Sequence, residues 1–329
     1  MRRFVPPAGE RGAALLAVLV LVAIMGAIAA GAFERLRLSI AVATNAAALD
    51  QARAYALGVE SLLALRVDDM IGADSEVTTL AGDWHGVARR IPLPGGGFAE
   101  GTVRDGGNCF NLNSLVQGEP ASVLMARPEG IRQFTALMGV VGVPEQSARA
   151  VAAAAADWAD TDSDPLPGGA EDAAYAGAQH PHRAGNTLFA EASELRPVHG
   201  VTPEIYARVR PWLCALPITA SAPINLNTLL PDQAPVLSML EPNTLPPERV
   251  RSVLAARPAG GWKTMQDFLR SSRLENVPLD AMGQLQLRSR WFRLDLSVEH
   301  DGAELHETAL IDARLAPSRV AARRWGADD

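Results

Sequence analysis

Between Val151 and Tyr175 the sequence carries six carboxylates, Asp157, Asp160, Asp162, Asp164, Glu171 and Asp172, with no lysine or arginine among them. Like charge at that density is unfavourable unless water or a cation neutralises it. Counted from Asp160, the acids Asp160, Asp162 and Asp164 fall at positions one, three and five, and Glu171 falls at position twelve. That is the spacing with which a calcium loop presents single oxygens and one bidentate glutamate to a hard cation. Pro165 stands at position six, where such a loop needs glycine, so the segment is not a true EF-hand. An all-oxygen donor set suits Ca²⁺ and argues against zinc. A solvated acidic loop with helix-capping aspartates is the alternative reading of the same residues. The preceding run "AVAAAAADWA" reads as an entering helix.

Other chemistry is weakly supported. His180-Pro-His182 and His199 could chelate a transition metal, but no helical pair of histidines accompanies them. No nucleophile-elbow or phosphate-loop pattern occurs, so neither an enzyme nor a small-molecule substrate is expected. The net charge of −7 predicts no general attraction to nucleic acid. A membrane-tethered nucleic-acid binder remains the rival reading, but Arg249, Arg251, Arg257, Arg270 and Arg273 are scattered rather than clustered. Cys109 and Cys214 either pair, if the soluble part faces an oxidising compartment, or remain two buried thiols.

The element that positions everything else is at the N-terminus. Ala13 to Phe33 is an apolar run with no ionisable side chain, 21 residues that would span about 30 Å as a helix, the thickness of a bilayer core. No proline interrupts the chain between Pro7 and Pro92. Leu38, Val42, Ala46, Leu49, Ala52, Ala56, Val59 and Leu63 then recur at three- and four-residue steps, which predicts an amphipathic continuation laid against a soluble domain. Together they predict one helix from residue 13 to about 66. Arg2, Arg3 and Arg11 flank the apolar run, placing the leader in the cytoplasm and the remainder across the membrane.

At the other end, Phe292, Leu294, Leu296 and Val298 alternate with polar residues, and Asp301-Gly302 supplies a primed hairpin turn before a second strand through about Leu315. Two strands seldom stand alone, so this hairpin is expected to join the long helix and a strand near Phe98–Val103, with an insertion between. The insertion repeats. "FNLNSL" at Phe110–Leu115 returns as "INLNTL" at Ile224–Leu229, and "FAEASELR" from Phe189 corresponds to "WKTMQDFLR" from Trp262. The second Asn or the hydroxyl residue of each motif is expected to cap a helix, and Ser114 with Gln117 has capping-box spacing.

A basic leader ending in glycine, an apolar helix and an amphipathic continuation resemble the type IV pilin family. The stretch Asp157-Trp158, Asp160, Asp162, then Gly168-Gly169-Ala170-Glu171-Asp172, with both Asn-Leu-Asn motifs, resembles in particular the K pseudopilins of type II secretion systems. The resemblance runs from Gly12 to about Leu315. It implies an α+β, type IV pilin-like fold with a large inserted all-α domain of two SAM-like or helix-hairpin-helix-like repeats. The implied boundaries are a leader at 1–12, a transmembrane and assembly helix at 13–33, and the first part of the pilin-like domain at 34–105. The insertion follows at 106–284, in copies at 106–215 and 222–284, then a hairpin at 285–315 and a tail at 316–329. It further implies peptidase cleavage between Gly12 and Ala13, methylation, calcium on Asp157, Asp160, Asp162, Asp164, Glu171 and Asp172, and an inner-membrane anchor with a periplasmic head. The implied partners are the prepilin peptidase and the I and J minor pseudopilins, and the implied role is capping a pseudopilus tip. Most pilins carry Glu at the fifth mature position, where this chain has Ala17. A buried carboxylate is costly without a partner, so a subunit with no neighbour above it has no use for one.

Overall fold

A computed structural model describes residues 10–119, 122–177, 180–272 and 282–326. Arg2, Arg3, Arg273 and most of the expected leader lie outside the described residues. Helix α1, Glu10–Ala73, runs unbroken for 64 residues, about 96 Å at 1.5 Å per residue, and so ends later than the sequence predicts. Among the described residues it is the one helix long and apolar enough to cross a membrane. Its two halves differ sharply. Every described side chain from residue 12 to residue 47 is exposed, whereas Ala52, Ala56, Val59, Leu63, Val67 and Ile71 are buried at helical spacing. The predicted amphipathic stripe therefore docks only from Ala52 onward. Leu38 and Val42 stay 58% and 69% exposed, because the sheet of this chain does not reach them.

After α1 come β1, Arg89–Pro92, and β2, Phe98–Asp105. The next elements are β3 (Phe110–Asn111), β4 (Val116–Gln117), β5 (Met125–Ala126), α2 (Pro128–Val140), α3 (Glu145–Ala159) and α4 (Asp172–Tyr175). Then follow α5 (Pro203–Val209), β6 (Leu213–Cys214), β7 (Ile224–Asn225), α6 (Ala234–Ser238), α7 (Pro247–Ala255), α8 (Met265–Ser272) and β8 (Leu285–Gln286). The chain closes with β9 (Trp291–His300), β10 (Ala303–Asp312) and β11 (Arg319–Trp325). The main sheet is antiparallel, ordered β1-β2-β9-β10-β11.

The β9–β10 hairpin turns at Asp301 and Gly302 with φ of 49° and 77°, the two positive values a primed turn requires. Alternation decides which face is buried: Phe292, Leu294, Leu296 and Val298 of β9, with Leu305, Ala309 and Ile311 of β10, meet the buried stripe of α1. A Cβ on Gly101 would lie 2.9 Å from the Leu63 side chain, so this glycine lets the helix settle on the sheet. Two expectations need correction here. The segment expected as a tail contains β11, which pairs along β10. Leu285–Gln286 pairs in parallel with Ile224–Asn225, so the hairpin begins at Trp291 and not at residue 285.

The two Asn-Leu-Asn motifs share one geometry. The Asn113 amide donates to the Phe189 carbonyl (2.9 Å) while its oxygen accepts from the Phe189 N–H (2.7 Å). Asn227 does the same to Trp262, at 2.9 and 2.8 Å. Each motif also opens a parallel pair with the end of its own copy, β3 with β6 and β7 with β8. The helix-capping expectation is overturned. In the first copy the leading Asn111, not Asn113 or Ser114, caps a single 3₁₀ turn over Leu112–Leu115 by accepting from the Asn113 N–H. Ser114 turns its hydroxyl back to the Asn111 carbonyl, and Gln117 belongs to β4, so no capping box forms. Cys109 and Cys214 are joined, with Cα atoms 5.8 Å apart, beside the β3–β6 pair. Residues of both copies contribute to one apolar core, in which Phe110 stacks on Phe134 at 4.9 Å.

Candidate metal centre

The acidic segment leaves the C-terminal end of α3, an alanine-rich helix whose residues Val151–Asp157 are all buried. Three of its carboxylates converge. Oxygens of Asp160, Asp162 and Glu171 lie within 4.8 Å of one another. Asp160 and Glu171 are 2% and 7% exposed, and among the described residues Asp160 Oδ1 and Glu171 Oε1 have no hydrogen-bond donor. A buried carboxylate oxygen with no donor is expensive. Burial, followed by the charges of Asp162, Asp157 and Glu171, pushes Asp160 up to about 7. Burial and then Asp157, Asp162 and Asp172 push Glu171 up to about 7 as well. The site stores repulsion that a divalent cation would relieve.

The other three acids of the predicted set do not join this cluster. Asp157 is buried beneath it and accepts from the backbone N–H groups of Leu166 (3.2 Å) and Ala170 (2.8 Å). Those bonds fold the chain back so that Glu171 returns to Asp160. A Cβ on Gly169 would lie 1.9 Å from Asp157 Oδ2, which explains the glycine there. Asp172 begins the short α4 and accepts from the Ala184 N–H at 3.0 Å, and Asp164 is exposed. Loop counting places Asp160, Asp162, Asp164 and Glu171, and the family resemblance adds Asp157 and Asp172. The fold instead uses Asp157 and Asp172 on backbone N–H groups outside the cluster and leaves Asp164 in solvent.

A strut beside the cluster escaped the sequence reading. Trp158 packs edge-on against Tyr175 at 5.4 Å, its carbonyl accepts from the Asn186 N–H, and Gly185 lies under its ring, where a Cβ would come within 2.9 Å. From Asn186 the chain runs to Phe189, the residue that Asn113 grips. The sequence signals for this support were Trp158, within the stretch that resembles the K pseudopilins, and the Phe189 landmark of the repeat. His182 leans on Tyr175 at 4.9 Å and contacts the His180 carbonyl through Nδ1, and neither histidine nor His199 joins a metal-ligating cluster among the described residues. Three of the second-copy arginines have partners on their own chain: at the surface Arg251 pairs with Glu248 and Arg270 with Asp267, and the part-buried Arg257 donates to the carbonyls of Leu226 and Leu229.

Residues 108–218 and 224–288 match two family models, each described as type II secretion system protein K. The type II secretion system protein K of Pectobacterium carotovorum subsp. carotovorum is 33% identical over 320 residues, covering 96% of this chain and 97% of that protein. The protein of the same name from Klebsiella pneumoniae is 34% identical over 321 residues, with the same coverage. Among solved structures, the crystal structure of the GspK–GspI–GspJ complex from the type 2 secretion system of enterotoxigenic Escherichia coli contains a chain that is similar with a TM-score of 0.72 and 31% identity. The match covers 85% of this chain and 97% of that one.

Proposed function

This chain belongs to the type II secretion system protein K family, and on that footing we propose that it is the minor pseudopilin that caps the tip of a secretion pseudopilus. The observation that carries the reading is the likeness to a chain of the GspK–GspI–GspJ complex over nearly the whole of that chain. Its partners are then the I and J minor pseudopilins of the same system. Gly12–Ala13 is where a prepilin peptidase removes the leader, and the mature end is a candidate for methylation. Ala13–Phe33 anchors the protein in the inner membrane as a single pass, with the rest in the periplasm. The exposed apolar side chains of α1 between Leu36 and Leu49 then pack against neighbouring helices. The inserted region, with its two Asn-gripped copies of SAM-like or helix-hairpin-helix-like type, is the head, and its bulk keeps further subunits from adding above. The role asks for no catalysis.

Calcium is the cofactor that the acidic segment fits. Asp160, Asp162 and Glu171 are the residues that would hold it, through an all-oxygen set whose two orphaned oxygens lack any other partner among the described residues. Asp157 would act through the backbone it organises. A bound ion would hold the end of α3 to the start of α4 and so stiffen the first copy.

The test of the capping role is position along the fibre. With the head labelled by gold, assembled pseudopili should carry one particle at one end. Particles spaced along the shaft would overturn the reading.

A further inference from the structure

The last strand of the sheet is held from both sides by adjacent arginines. On one face of β11, Arg323 donates to both carboxylate oxygens of Glu60 on α1 (2.7 and 2.6 Å) and to Glu307 on β10 (3.2 Å). Its neighbour Arg324 pairs with Glu191, which lies in the inserted region two residues beyond Phe189. Thus β11 is tied to the long helix on one side and to the helical insertion on the other.

The first of these ties has an odd charge count. Glu60 and Glu307 are 4% and 3% exposed, and one guanidinium serves both. Among the described residues Glu307 Oε2 has no donor. Around the pair, α1 contributes Leu63, β9 contributes Leu294 and Leu296, and β10 contributes Ala309, all apolar. Among the described residues, the charged groups facing Glu307 are therefore Glu60 from α1 and Arg323 from β11, whereas Arg293 and Asp295 occupy the opposite face of β9. Two carboxylates cannot both ionise cheaply there against a single cation.

We propose that β11 is a strap joining the stem helix to the head, and that a proton shared between Glu60 and Glu307 sets its grip, tight in mild acid and slack as the medium turns alkaline. Glu60 takes the ionised role because Arg323 grips it with two short bonds. Burial pushes it up, but the bonds from Arg323 and Glu307 outweigh that and hold it below the ordinary carboxylate value. Burial, then the neighbouring Glu60, pushes Glu307 up to about 8. In an opened strap Glu307 would titrate near the ordinary glutamate value of about 4.3. The closed state thus binds one more proton than the open state from about pH 4.5 to about pH 8, so opening becomes easier across that window and levels off above it. Below the window, protonation of Glu60 works in the opposite direction and weakens the tie.

Amide hydrogen exchange on the full-length chain in detergent, with calcium saturating, tests this. Calcium keeps the acidic cluster out of the titration, and normalised protection factors remove the intrinsic pH dependence of exchange. Protection of the β11 amides should fall between pH 5 and pH 8, by at most about tenfold per pH unit for a single proton. Amides of residues 192–195 beside Glu191 should follow, and those of β2 should not. Glu307→Gln, which keeps a neutral hydrogen-bonding group, should flatten the β11 profile and leave it well protected at pH 8. Glu60→Gln hands Arg323 to an ionised Glu307 and should also flatten it, at lower overall protection. A flat profile in the unmodified chain, or a slope surviving in either variant, would overturn the shared proton. A β11 response that leaves residues 192–195 unmoved would overturn the link to the head.

Discussion

Asn113 holds the backbone of Phe189 and Asn227 holds that of Trp262, by the same pair of bonds in the same directions. Beyond that shared grip the two copies part company. In the first, the leading Asn111 gives its amide to the carbonyls of Ile218 and Ala220, on the segment that directly follows its own copy, and the Cys109–Cys214 bridge closes the same loop. In the second, Asn225 gives its amide to the Thr78 carbonyl and the Ser289 hydroxyl, on segments that lead from the stem and into β9. Around it, Thr228 (2.5 Å) and Ser289 both donate to the half-buried Asp105 at the end of β2. Asn108 bridges the same group by accepting from the Asn225 N–H at 2.8 Å. One motif has therefore been put to two uses: the first copy is closed upon itself, and the second mounts the insertion on the sheet. The added acidic segment sits in the self-contained copy, where ordering it does not disturb the mount.

Removing the closure should separate the copies most strongly. The bridge spans 105 residues, and a cross-link over a loop of about that length stabilises by about 4–5 kcal/mol in the chain-entropy account. Replacing both cysteines with serine should lower the melting temperature by many degrees. Exchange protection should drop in α2 and α3 while the β7–β8 pair and α8 retain theirs. Equal losses in both copies would mean that their shared core, not the bridge, holds the first copy closed.

Truncating the clamps should give a smaller effect. Asn113→Ala and Asn227→Ala each strand a buried N–H and a buried carbonyl, at about 1–3 kcal/mol per group. Asn113 makes one further buried bond, to the Leu216 carbonyl at 2.8 Å, so the urea unfolding midpoints of both variants should fall, that of Asn113→Ala somewhat further. A markedly milder Asn113→Ala would show that the bridge already fixes what the clamp fixes.

How much of this the sequence disclosed depended on the range of the interactions. The β9–β10 hairpin was legible because alternation and the Asp301-Gly302 turn are local. The repeat was legible too, because each motif and its landmark recur in order, but the grip between them was not. The second Asn of each motif is expected to cap a helix, and in the fold it clamps the backbone of Phe189 or Trp262 instead. Strand β11 was not legible, since "RVAARRW" carries arginine at a position facing the core. That is tolerable only because Glu60, 263 residues earlier in the chain, waits there, and nothing nearby announces it. The stripe through Leu38, Val42 and Leu49 had the right period, but its partner is absent from the sheet of this chain. In the acidic segment the spacing located the cluster through Asp160, Asp162 and Glu171. The wider family motif did not separate ligands from supports, because it holds Asp157 beside Asp160, and only the folded chain aims backbone N–H groups at the one and turns the other into the cluster.

That last distinction predicts the smallest and most selective effect. A cation bound only by the folded form stabilises it by mass action, about 2.7 kcal/mol at a hundredfold excess over its dissociation constant. Without calcium, Asp160 and Glu171 hold protons up to about pH 7 when folded and release them earlier when unfolded. Their raised values therefore contribute stability that is complete in acid and lost as the pH climbs through 7. Calcium must displace those same protons, so its stabilising effect should be slight at pH 5.5 and full at pH 8. The gain in melting temperature on adding calcium should follow that sign in the unmodified chain and in Asp164→Asn, whose carboxylate is exposed and outside the cluster. Asp160→Asn should abolish the gain and raise the calcium-free melting temperature at pH 8, because it removes the buried charge that the ion would neutralise. Were Asp164→Asn to abolish the gain instead, the ligand set would follow the loop spacing in the sequence, and the convergence of Asp160, Asp162 and Glu171 would not be the binding geometry.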